Sequence, residues 1–74
     1  MRRRIGRVPT DSSAVASVGY DPKSKALDVE YAGGAVYRYY PVPDRVYRQL
    51  LQAESKGRFV NARIRDAYPF RRVT

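Results

Sequence analysis

Seventy-four residues with 15 Lys and Arg against 7 Asp and Glu, a formal net charge of +8, fit one small domain with room for a single core. Neither cysteine nor histidine is present, which excludes a disulfide framework, the usual soft metal ligands and an imidazole base. No metal or other cofactor is therefore expected, and no apolar run approaches the roughly 18 residues of a membrane span, so a soluble, cytoplasmic protein with no membrane partner is expected.

Residues 1–8 read as a basic arm. Arg2, Arg3, Arg4 and Arg7 stand around Ile5 and Gly6 without an acid, a composition that buries too little surface to order itself, so this arm is expected to be flexible ahead of a single domain over residues 9–74. The apolar stretch from Ala14 to Tyr20 predicts a first strand, and Tyr20-Asp21-Pro22-Lys23-Ser24 supplies turn chemistry. Leu27, Val29 and Tyr31 alternate with Asp28 and Glu30, the period-2 signature of a strand with one buried face. Gly33-Gly34 makes the next turn, and a third strand from Ala35 to Tyr40 places Tyr37 and Tyr39 on one face with Val36, Arg38 and Tyr40 on the other.

After Pro41 the period changes. Val46, Tyr47, Leu50 and Leu51 gather on one side of a predicted helix, while Arg45, Arg48, Gln49 and Gln52 gather on the other. Asp44 near its start complements the helix dipole, and Gly57 is expected to end the helix in a left-handed cap. A second, shorter helix takes Phe59, Val60, Ile64, Ala67 and Tyr68 as its apolar side and Arg58, Arg63 and Arg65 as its polar side, and Pro69 stops it. The fold class is α+β: a three-stranded antiparallel β-meander followed by a two-helix hairpin, βββαα.

Taken together, Ser12-Ser13, the Gly19-Tyr20-Asp21 turn, Leu27-x-Val29-x-Tyr31, Tyr37-x-Tyr39 with Val42-Pro43, Ser55-Lys56-Gly57-x-Phe59-x-Asn61, Ile64 and Tyr68-Pro69 resemble a KTSC domain. The resemblance runs from about Val8 to Val73. Domains of this kind are appended to some lysyl-tRNA synthetase C-termini and also occur as free-standing small bacterial proteins. What the resemblance implies is RNA binding, from that company and from the Tyr-x-Tyr motif. The arginine-rich arm departs from the family's pattern.

Charge points the same way, since residues 38–74 hold nine bases against three acids, whereas residues 11–37 hold two lysines against four. Such an excess attracts polyanions, although it also serves solubility alone. The Tyr37 and Tyr39 pair has two readings. Leu27, Val29 and Tyr31 need partners on their face, which makes both rings core; alternatively the rings form a platform for base stacking. Arg38 and Tyr40 point outward, where a ring beside a guanidinium suits a base and its phosphate.

Lys56, Gly57, Arg58 and Asn61 sit at the junction of the helices, either to meet phosphate and sugar or simply to build the interhelical turn with Ser55 as its cap. Arg45 and Arg48 lie one turn apart and extend toward Arg63 and Arg65 if the helices pack side by side. Asp11-Ser12-Ser13 and Ser55-Lys56 do not make a catalytic dyad by adjacency alone, and the acids are scattered, so no catalytic residue is assigned and the chain is read as a non-enzyme. RNA, with tRNA among the candidates, is the expected partner. The alternative is a protein-protein interaction module using the sheet's outer face or an edge strand through Val36, Arg38 and Tyr40, with charge incidental.

Overall fold

The structure, a computed structural model, describes residues 5–74. Arg2, Arg3 and Arg4, and with them most of the predicted arm, lie outside the described residues. Strands β1 (Val8–Pro9), β2 (Val15–Asp21), β3 (Ala26–Tyr31), β4 (Val36–Tyr39) and β5 (Phe70–Arg72) form one antiparallel sheet in chain order. The predicted meander is therefore the middle of a five-stranded sheet. The two flanking strands are two and three residues long, too short to leave a period-2 pattern, and β5 finds its partner β4 only after the helices have returned the chain.

Between β4 and β5 run α1 (Asp44–Gln52) and α2 (Lys56–Phe59), the latter continuing directly into a wider π-type turn at Val60–Ile64. The second helix thus ends before Tyr68-Pro69, and the proline instead precedes β5. No described helix is long and apolar enough to cross a membrane.

Register sorts the side chains. Tyr20 faces Leu27 and Leu27 faces Tyr39 across the ladder, while Val18, Val29 and Tyr37 form the neighbouring row, so these residues share the face that the helices cover. Val15, Val18, Leu27, Val29, Tyr39, Val42, Val46, Leu50, Val60 and Ile64 make the core. Each such aliphatic side chain contributes about 1.5–3 kcal/mol on burial, which is the main favourable term available to a chain without cross-links. Val46 and Leu50 sit one turn apart on the buried side of α1, but Leu51 is 42% exposed, so the predicted apolar stripe is one residue narrower. Tyr47 completes that side, stacked on Tyr20 at 4.9 Å between ring centres, and the Tyr20 hydroxyl donates to the Val42 carbonyl at 2.5 Å.

Gly57 corrects the predicted cap. Helix α1 ends with Ala53 in extended conformation, and Gly57 lies inside α2, whose cap is Ser55 through its Oγ accepting from the Arg58 N–H at 3.2 Å. What demands glycine there is close approach: a Cβ would stand 2.9 Å from Ser12 Oγ and 3.1 Å from Ala14 Cβ. Ser12 in turn holds the entry to β2, its Oγ accepting from the N–H groups of Ala14 and Val15. Gly33 and Gly34 do need backbone freedom, with φ of 104° and 102° in the β3–β4 turn.

The described part of the predicted arm runs along β2, with Gly6, Arg7 and Val8 exposed. Val8 pairs with Val18, Ile5 is buried, and the Gly6 carbonyl crosses so close over Gly19 that a Cβ on Gly19 would overlap it.

Candidate nucleic-acid interface

The expected site residues fall into three places. Tyr39 is core, and its hydroxyl meets that of Tyr31 at 2.6 Å; burial first, and then this bond, hold its phenol well above the ordinary tyrosine range. Tyr37 is half-buried, with its ring edge-on to Tyr31 at 5.7 Å and stacked on Phe70 at 5.3 Å. Both rings are therefore engaged within the fold. Partners on their own face, Leu27 and Val29, made this the expected outcome if the helices covered that side.

The second place is the helical layer. Arg45 is exposed and has no ion pair among the described residues, while Arg48 donates to Asp44 at 2.5 Å along one turn of α1. Arg63 lies with its guanidinium carbon 5.3 Å from the Phe59 ring centre and donates to Gln49 Oε1 at 3.3 Å, so it bridges the second helix to the polar side of α1. The two helices thus meet at Gln49 and Arg63. Arg65 turns aside to Asn61, donating to its Oδ1 at 3.3 Å. Lys56 spends its ammonium on the Ala53 carbonyl at 2.7 Å, so it closes the turn between the helices, and Arg58 is exposed beside it.

The third place is the opposite side of the sheet. Arg38 pairs across the strands with Asp28 and binds it through two parallel bonds, Nε to Oδ1 at 2.7 Å and Nη2 to Oδ2 at 3.0 Å. Asp28 is buried, and its hydrogen bond is the main cause that raises the Arg38 pKa above the ordinary value and fixes the plane of the guanidinium. Glu30 accepts from the Ser17 hydroxyl at 2.7 Å. Val36, expected outward as an interface residue, is 2% exposed: its strand is flanked by the chain end, with its N–H donating to Thr74 Oγ1 and its carbonyl accepting from Val73.

Tyr40, by contrast, is 58% exposed. It lines a groove of about 470 Å³ with Ala26, Arg38, Pro69, Phe70 and Arg71. Arg38 and Arg71, which face each other across β4 and β5, also line a larger concavity of about 1150 Å³ that extends to Arg7 and Glu30. Arg71 and Phe70 were not among the expected site residues. Their signal in sequence was only a basic pair after Pro69, and a three-residue strand gives no pattern that would have aimed them.

A helical layer on one face of a five-stranded antiparallel sheet makes this a small α+β domain. The chain belongs to the KTSC domain family, whose model matches residues 11–68. It is 47% identical over 60 residues to a protein of Tsukamurella paurometabola, covering 81% of this chain and 90% of that one. It is also 31% identical over 64 residues to a lysine–tRNA ligase of Nostoc punctiforme, covering 86% of this chain but 11% of the ligase. A KTSC domain protein from Yersinia pestis, solved by crystallography, superposes with a TM-score of 0.91 at 32% identity, covering 96% of this chain and 100% of that one.

Proposed function

We propose that this domain binds RNA, holding the phosphates of a strand through the polar face of its helical layer. The observation that supports the reading is the Arg63 bridge, which ties a cation of the second helix to Gln49 on α1, the helix that carries Arg45 and Arg48. Asp44 offsets part of the Arg48 charge, while Arg45 and Arg63 have no carboxylate partner among the described residues. Each phosphate neutralised by such a cation releases counterions, so affinity must fall with salt. The similarity to a region of lysine–tRNA ligases supports RNA, and tRNA in particular, over DNA.

The test is a salt series of fluorescence-anisotropy titrations with labelled single-stranded RNA, tRNA and duplex DNA. RNA binding that weakens steeply with salt is expected. Arg45→Gln combined with Arg63→Gln is expected to flatten the salt slope by about 0.7 for each phosphate of a single strand that is no longer neutralised. Absence of binding to all three at low salt refutes the reading and directs attention to a protein partner, for which the unpaired edge of β5, with Phe70 55% exposed, is the available surface.

A further inference from the structure

The Tyr40 groove lies on the other side of the sheet from the helical layer, and Ser24 stands at its wall with the other lining residues. Tyr40 presents an exposed ring, Arg38 and Arg71 stand together across β4 and β5, and Pro69 and Ala26 supply apolar wall. No acidic side chain lines it among the described residues. Asp28 takes two of the five N–H donors of Arg38 and thereby holds the guanidinium plane still, leaving the remaining donors for a ligand at no further ordering cost. Arg71 is exposed, and its side chain has no hydrogen bond or ion pair among the described residues. The Tyr40 N–H donates to the Pro69 carbonyl at 3.1 Å, which ties the two walls together.

We infer that this groove takes one unpaired nucleotide of an RNA strand, its base stacked on Tyr40, its phosphate on Arg71, and Arg38 donating to the base edge or sugar. The inference rests on the reading that the domain binds RNA, and adds to it where a base is recognised and that the strand must be single. The volume, about 470 Å³, is of the size of small-ligand sites and not of a duplex track. A paired base cannot offer its face to Tyr40, because in a duplex both faces are covered by neighbouring bases.

The decisive experiment uses the full chain and a 12-nucleotide RNA carrying 2-aminopurine, the same RNA annealed to its complement, and an abasic strand of equal length. The wild-type protein is expected to bind the single strand with a change in 2-aminopurine fluorescence and to bind the other two more weakly. Tyr40→Ala, at an exposed position, is expected to lose about tenfold in affinity for the intact strand together with the fluorescence change, while Tyr40→Phe keeps both. Arg71→Gln is expected to lower the salt slope by about 0.7 while keeping the fluorescence change. Unchanged affinity and fluorescence in Tyr40→Ala, or equal binding of duplex and single strand, overturns the groove while leaving phosphate binding by the helical layer standing. Absence of RNA binding by the wild-type protein overturns both.

Discussion

Replacing Gly57 by alanine sets two effects of opposite sign against each other. Alanine is favoured over glycine within a helix by about 1 kcal/mol, so propensity alone makes Gly57→Ala stabilising. The new Cβ, however, would lie 2.9 Å from Ser12 Oγ and 3.1 Å from Ala14 Cβ. Ser12 Oγ cannot retreat freely, because it accepts from the N–H groups of Ala14 at 3.2 Å and Val15 at 3.3 Å. Overpacking of this kind costs about 1–3 kcal/mol, and losing either hydrogen bond adds about 1 kcal/mol. The steric clash outweighs the propensity, and a net loss of about 1–2 kcal/mol is expected, which for a domain of this size lowers Tm by roughly 5–15 °C. Thermal and urea denaturation followed by circular dichroism measure it. In a Ser12→Ala background the oxygen is gone, so the added cost of Ala at 57 should shrink by about 1 kcal/mol, a coupling readable in a double-mutant cycle. A Gly57→Ala protein more stable than the wild type would refute the packing account.

Asp28→Asn puts an amide where Arg38 needs a second carboxylate oxygen. Loss of one partner of a buried pair costs about 3–5 kcal/mol, reduced here to about 2–3 kcal/mol because the Arg38 side chain is 25% exposed and can turn toward water; the urea midpoint should fall with the slope unchanged. Burial raises the phenol pKa of Tyr20, Tyr39 and Tyr47, so below pH 10 the folded and unfolded chains are equally protonated there and this stabilisation is fully present. Above pH 10 the unfolded chain releases protons that the folded chain retains, so stability should drop between pH 10 and 12, and Tyr39→Phe should make that drop shallower in a series of urea melts. Gly19→Val collides with the Gly6 carbonyl and should lift the N-terminal segment off the sheet, seen as faster tryptic cleavage after Arg7 with about 1 kcal/mol or less lost in global stability. Unchanged cleavage would mean that the segment does not rest on Gly19.

Local pattern was enough for the elements whose signal is local. The alternation of Leu27, Val29 and Tyr31 marked the strand and the face that the helices cover, but not that Ala26 and Asp28 on its other face are buried as well, and Gly33-Gly34 placed a turn that the φ angles require. Val46 and Leu50 at helical spacing marked the covered side of α1. The family resemblance, carried by residues spread from Ser12 to Tyr68, was likewise legible in one dimension.

What tertiary structure decided were the pairings between distant residues, whose energies depend on which partners meet. Phe70–Arg72 becomes a strand because β4 leaves an open edge beside it, and Arg71 reaches the Tyr40 groove for the same reason. The role of Gly57 as a seat for Ser12, 45 positions earlier (57 − 12), is invisible to local propensity, which reads a glycine there as a cap. The same holds for charge. Composition supplied an excess of +8, but only the fold separates Arg38, tied to a buried Asp28, from Arg45 and Arg63 on the helices and from Arg71 at the edge of the sheet. Charge adds along the chain, whereas a binding surface requires cations to be placed together in space.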